Sequence, residues 1–126
     1  MSKQSVKEVT RDDQKKINLF ARKHRTLKEK TTEIEALKAK LQNINDGIDD
    51  LELHDDETDG MVPFMVGDIF IMKKAEDAVA SLEESKSILE DKISKVGGEK
   101  DDVDGEIKKL KAELYGKFGN EINLEE

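Results

Sequence analysis

The chain has 126 residues, with 22 Lys and Arg against 30 Asp and Glu, for a formal net charge of −8. Charged residues make up 41% and aromatic residues 4%, with one Tyr, one Pro and no Trp; a globular chain averages about 25% charged, so this composition suits long solvated helices or disorder rather than a large compact core. The absence of Cys excludes a disulfide framework, a thiolate metal site and a cysteine nucleophile.

Residues 1–10 show no apolar signal-peptide core and are expected as a flexible N-terminus. Over 11–53, apolar residues recur at Ile17, Phe20, Leu27, Ile34, Leu37, Leu41, Ile44, Ile48 and Leu51. With His24 and Thr31 filling the gaps, the steps alternate between three and four, apart from one stammer at Ile34–Leu37. This is a heptad seam and predicts a first helix. Thr10, with Asp12 and Asp13 behind it, supplies an N-cap with acid in the first turn.

An acidic loop is expected at 54–60, followed by an apolar stretch at 61–72. The stretch is far short of the roughly 18 residues that span a bilayer. It reads as a β-hairpin turning at Gly67-Asp68, because Gly at the first loop position suits a type II′ turn. Pairing Val66 with Ile69 and Phe64 with Ile71 puts Val62, Phe64, Val66, Ile69 and Ile71 on one face, and Met65, Phe70 and Met72 on the other. Both faces are then apolar. A lone two-stranded hairpin is marginal in water and its open edges invite pairing, so the expectation is assembly through this element.

Residues 74–118 repeat the seam at Ala75, Ala78, Val79, Leu82, Leu89, Ile93, Val96, Val103, Ile107, Leu110 and Leu114, with Ser85 and Lys100 taken as seam positions. That assignment carries two successive four-residue steps, a stutter, at Ser85–Leu89–Ile93. Gly97-Gly98 is a soft spot, since each Gly costs about 1 kcal/mol in a helix against Ala. The periodicity resumes in phase at Val103, which predicts a continuous helix. The fold class is therefore mainly α: a long antiparallel two-helix coiled coil with one β-hairpin between the helices, in a single unit. Returning the chain on itself sets residues 1–20 beside 110–126, at a tip away from the hairpin.

At that tip Tyr115, Phe118, Ile122 and Leu124 crowd the C-terminal end, opposite Val6, Val9, Ile17, Leu19 and Phe20. Gly119 is expected to cap the helix, which leaves 119–126 as a tail. Ile17, Phe20 and Leu114 can simply cover one another at a zipped end, and Ile122 and Leu124 can belong to a loose tail. Apolar residues beyond what two helices bury can also contact another chain.

Catalytic readings fail on inventory. His24 and His54 are the only histidines, and no Ser has a His and an acid near enough for a nucleophile system. Asp55-x-Glu57-x-Asp59-Gly60 resembles the start of an EF-hand loop, but Val66 stands where the bidentate Glu belongs. Asp101-Asp102-Val103-Asp104-Gly105 also misses the spacing, and Gly97-Gly98 lacks the lysine of a phosphate loop. No metal, cofactor or enzymatic activity is expected. The local surplus at 22–30 is modest: residues 1–50 carry +3 and the remainder −11, which argues against nucleic acid as a partner. No membrane partner is expected either.

Three stretches then resemble the beta-type subunits of prefoldin. Val9-Thr10, Asp13-Gln14, Ile17-Asn18 and Phe20-Ala21-Arg22 resemble the start of that family's first helix. Val62-Pro63-Phe64 and Val66-Gly67-Asp68-Ile69-Phe70-Ile71 resemble its hairpin, and Leu114-Tyr115, Lys117-Phe118-Gly119 and Ile122-Asn123-Leu124-Glu125 resemble its C-terminal signature. Gly116 departs from the Ala usual there.

The resemblance implies a hetero-hexamer of two alpha-type and four beta-type subunits. Their hairpins form a β-barrel platform and their coiled-coil tips hold unfolded actin and tubulin chains for the cytosolic chaperonin, without ATP. Val62, Phe64, Val66, Gly67, Ile69, Phe70 and Ile71 then fall in the oligomerisation hairpin. Val9, Ile17, Phe20, Leu114, Tyr115, Phe118, Ile122 and Leu124 fall in the client-binding tip. A cytoplasmic location, possibly with a nuclear pool, goes with this reading. A coiled-coil scaffold or tether that holds no clients is the alternative.

Overall fold

The computed structural model describes residues 8–53, 61–119, 122 and 124. The expected acidic loop at 54–60, with its EF-hand-like start, and most of the expected flexible N-terminus lie outside the described residues. Four elements follow in chain order: α1 (Arg11–Glu52), β1 (Met61–Val66), β2 (Ile69–Lys74) and α2 (Ala75–Phe118).

Helix α1 starts where its cap can be closed. Thr10 Oγ1 accepts from the Asp13 backbone N–H at 3.1 Å, and Asp13 Oδ2 accepts from the Thr10 N–H at 3.0 Å. Two backbone donors that a helix start leaves orphaned are thus satisfied reciprocally, as in a capping box with Asp in place of Glu. Every expected seam position of α1 is buried or half-buried, from Ile17 to Leu51, with Phe20, Leu37 and Ile48 most enclosed. The stammer at Ile34–Leu37 stands, because Leu37 is buried and Lys38 exposed.

Helix α2 runs unbroken through Gly97, Gly98, Gly105 and Gly116. It corrects one seam assignment: Ser85 is exposed and Lys86 is half-buried. With Lys86 in place of Ser85, the steps from Val79 to Leu114 alternate three and four throughout, and the expected stutter disappears. The aliphatic stem of a lysine can line a seam while its ammonium stays wet, which a count of apolar residues overlooks. Gly119, at φ 59°, ends the helix in the left-handed conformation that glycine adopts without a Cβ penalty.

The hairpin pairs β1 with β2 in the expected register, Phe64 opposite Ile71 and Val66 opposite Ile69. Gly67 has φ 61°, as the first position of a primed two-residue turn requires. β2 runs on to Lys74, so the hairpin extends two residues past its expected end and α2 begins at Ala75.

The chain divides into two compact units, Met1–Glu33 with Val96–Glu126 and Ile34–Lys95. In the first, α1 and α2 run antiparallel. Lys16, Lys23 and Lys30 of α1 meet Glu113, Glu106 and Glu99 of α2 at 3.8, 3.1 and 2.9 Å. Successive lysines are seven residues apart and so are the glutamates. This is the arrangement of charges flanking a coiled-coil seam, where they set register and orientation. The groups stand partly in solvent, which screens such pairs and keeps each one weak. In the second unit the α1 backbone at Gly47 lies close to α2: a Cβ there would stand 3.4 Å from Leu82 Cδ1.

Candidate functional site

Two groups of apolar residues stand out, one in each unit. The first is the hairpin. Val62 is buried at 6%, and Phe64 beside it is half-buried, with the Lys73 ammonium 4.5 Å from its ring centre. Lys73 Nζ also donates to Ser81 Oγ at 2.7 Å, so the end of β2 is tied to the first turns of α2. Met65, Val66, Ile69, Phe70, Ile71 and Met72 face outward and are all exposed. Their exposure runs from 42% at Ile71 to 66% at Ile69. The described residues of the chain leave this apolar surface of the two-stranded sheet uncovered.

The second surface lies in the other unit, where Phe20, Ile107, Leu110, Leu114, Phe118 and Leu124 form one buried cluster. Ile17, Leu19, Leu27, Val103, Tyr115 and Ile122 pack against it, partly exposed. Leu114 is its most enclosed member, at 1%. Among the expected tip residues, the structure therefore brings together Ile17, Phe20, Leu114, Tyr115, Phe118, Ile122 and Leu124, while Val9, 53% exposed, stands at the surface.

Leu124, expected at the tip with a loose tail as the alternative reading, is only 7% exposed. Its backbone N–H donates to the Tyr115 hydroxyl at 3.1 Å.

Charge organises the same end. Lys117 binds the Asp13 carboxylate, the group that closes the cap of α1. The Lys117 hydrogen bond, and after it the Thr10 backbone N–H, hold the Asp13 carboxyl well below its ordinary range, at about 2. Lys30 is pushed above the ordinary lysine value, first by its hydrogen bond to Glu99. Lys117 also lies 5.5 Å from the centre of the Phe118 ring. The sequence reading took Asp13 only as helix-start acid and missed both the Asp13–Lys117 pair and the lysine–glutamate ladder. The ladder was legible as complementary charges repeating every seven residues on helices of known direction.

Among the described residues no group of three or more His, Asp and Glu stands ready to hold a metal ion. No helix among them is long and apolar enough to cross a membrane.

One unit thus carries an antiparallel helix pair with an apolar cluster, and the other a hairpin with an exposed apolar surface. The prefoldin subunit family model matches residues 14–121. Prefoldin subunit 4 of Homo sapiens is 41% identical over 117 residues, covering 93% of this chain and 87% of that protein. Probable prefoldin subunit 4 of Dictyostelium discoideum is 38% identical, covering 94% and 89%, and prefoldin subunit 4 of Saccharomyces cerevisiae is 35% identical, covering 94% and 90%. The crystal structure of the prefoldin beta subunit from Thermococcus strain KS-1 superposes with a TM-score of 0.81 at 18% identity, over 90% of this chain and 98% of that one, and shares its fold. The chain belongs to the prefoldin subunit family, a family of chaperones rather than enzymes, and membership implies assembly with other prefoldin subunits.

Proposed function

We propose that the chain is the subunit-4 member of a hetero-hexameric, ATP-independent holdase that keeps unfolded proteins such as actin and tubulin chains from aggregating and passes them to the cytosolic chaperonin. The observation that carries this reading is the apolar hairpin, whose exposed Met65, Ile69, Phe70 and Met72 give the chain an assembly surface and leave the apolar cluster of the other unit for a different task. Val62, Phe64, Val66, Gly67, Ile69, Phe70 and Ile71 serve assembly with alpha- and beta-type partners.

The client side is the surface around Phe20, Leu114 and Phe118, offered through Val9, Ile17, Tyr115 and Ile122. Several such weak apolar contacts, presented together by the subunits of one complex, raise avidity while each remains quick to release. The negative net charge of the chain keeps such a holder soluble. Work in the cytoplasm, with some chain in the nucleus, fits this role.

The test is dilution of a denatured client into the complete complex without nucleotide or metal. Suppressed aggregation supports the holdase; a complex that assembles but suppresses nothing, with or without ATP, favours a scaffold.

A further inference from the structure

We infer that the outward stripe of α1 carrying Arg11, Lys15, Arg22 and Arg25 is a docking surface for a short acidic peptide segment of another protein. The proposal goes beyond the holdase reading and does not rest on it. All four residues are exposed, and the helical period sets them within a stripe about 80° wide. Phe20 and Leu27 leave the same helix on the opposite side, in and against the apolar cluster. A ligand on the stripe therefore leaves that cluster untouched.

The distribution of arginine singles the stripe out. The chain has only three arginines, Arg11, Arg22 and Arg25, and all three stand on it. The basic residues that α1 turns toward α2 are lysines with partners: Lys16, Lys23 and Lys30 meet Glu113, Glu106 and Glu99. By contrast, none of the four stripe residues forms an ion pair with a described residue. Arg11 and Lys15 stand one turn apart, and so do Arg22 and Arg25, and like charges at that spacing weaken a helix. Arg11 also sits in the first turn of α1, where the helix dipole disfavours a cation. Unpaired positive charge is thus held where helix stability alone would shed it, and an anionic ligand would relieve the repulsion.

The chemistry and the length of the stripe choose the ligand. A guanidinium is a planar fork that takes a carboxylate or a phosphate through two parallel hydrogen bonds, which an ammonium does not. From residue 11 to residue 25 the helix rises about 21 Å, the reach of about six extended residues. The stripe ends in acid, at the exposed Glu29 and Glu33. A polynucleotide longer than the stripe would run onto those carboxylates and a chain of net charge −8, whereas a short Asp- or Glu-rich segment fits inside them. Exposed charges act over about 8 Å at physiological salt, so such a segment answers to the stripe and not to the net charge.

The experiment uses the complete complex at physiological salt and a fluorescent peptide of Glu-Gly repeats long enough to span the stripe, followed by anisotropy. The peptide should bind more tightly than its Gln-Gly counterpart and should be released by added salt. Arg22→Gln with Arg25→Gln in this chain should weaken it about tenfold. Arg22→Lys with Arg25→Lys keeps the charge but loses the fork, and should weaken it about threefold. Helicity and suppression of client aggregation should be unchanged in both variants. Equal binding of the Glu-Gly and Gln-Gly peptides overturns the proposal. So does a Glu-Gly affinity that the glutamine variant leaves unchanged. A single-stranded RNA of the same length that binds as tightly as the peptide, and is lost in the same variant, overturns the choice of an acidic peptide as the ligand.

Discussion

Lys117, in the last turn of α2, binds the carboxylate of Asp13, the residue that closes the cap on the first turn of α1. One carboxylate thus joins the start of one helix to the end of the other, next to the apolar cluster. Its carboxyl lies at about 2 instead of the ordinary 3.8. A carboxylate lowered on folding contributes stability that is fully present above the unfolded value and is lost as pH falls through the folded one. The helix ends at this site should therefore hold above pH 3.8 and loosen toward pH 2. In Lys117→Ala the Asp13 carboxyl should move up toward 3.8, as followed by NMR titration of its carboxyl carbon. A value that stays near 2 would mean the cap alone sets it.

Leu114 is the most enclosed large side chain of the described residues. Leu114→Ala should cost about 2–5 kcal/mol by loss of transfer energy and creation of a cavity. The first amides to lose hydrogen-exchange protection in the assembled complex should be those of 107–118. A uniform loss across α2 would contradict a local role for this cluster.

Helix α2 carries glycines with no packing reason. A Cβ on Gly98 meets nothing within 4 Å, so Gly98→Ala should stabilise the chain by about 0.5–1 kcal/mol in urea denaturation. Gly67→Ala has equal room but a φ of +61°, so it should destabilise. If the two substitutions act alike, backbone conformation is not what separates them.

Ile69 is 66% exposed at the hairpin turn. Ile69→Asp should leave helicity unchanged by circular dichroism and remove the chain from the complex on a sizing column, because a partner would have to bury an unpaired carboxylate at a cost of several kcal/mol. Normal co-assembly of the variant would remove the hairpin from the interface.

Most of the fold was legible because its signals are periodic. The α1 seam, from Ile17 to Leu51, and the hairpin register at Phe64 and Ile71 follow from spacing alone. Gly97-Gly98 stayed helical because the seam on both sides outweighs a propensity cost of about 1 kcal/mol per glycine. Lys86 was missed because a long amphipathic side chain is polar in a sequence and half apolar in a seam. Leu124 was left open between a tip residue and a loose tail, because spacing does not place a residue beyond a capping glycine; its burial and its bond to the Tyr115 hydroxyl needed coordinates. The two surfaces were legible as residue sets, but their division into exposed hairpin and self-covered cluster needed coordinates.

The central claim, that this chain's apolar cluster holds clients, is tested most directly by aggregation of a denatured client diluted into complete complexes that differ only in this subunit. Val9→Ser with Ile17→Ser removes one exposed apolar side chain just ahead of α1 and one half-buried side chain that packs on the cluster, and leaves Leu114 and Leu124 in place. Each side chain contributes up to about 1.5–3 kcal/mol if fully covered by a client, and less where the cover is partial. The account predicts severalfold weaker suppression of aggregation by the variant complex, with hexamer size and helicity unchanged. Suppression equal to wild type, at limiting complex, would contradict it and leave the chain a platform component whose neighbours hold the client.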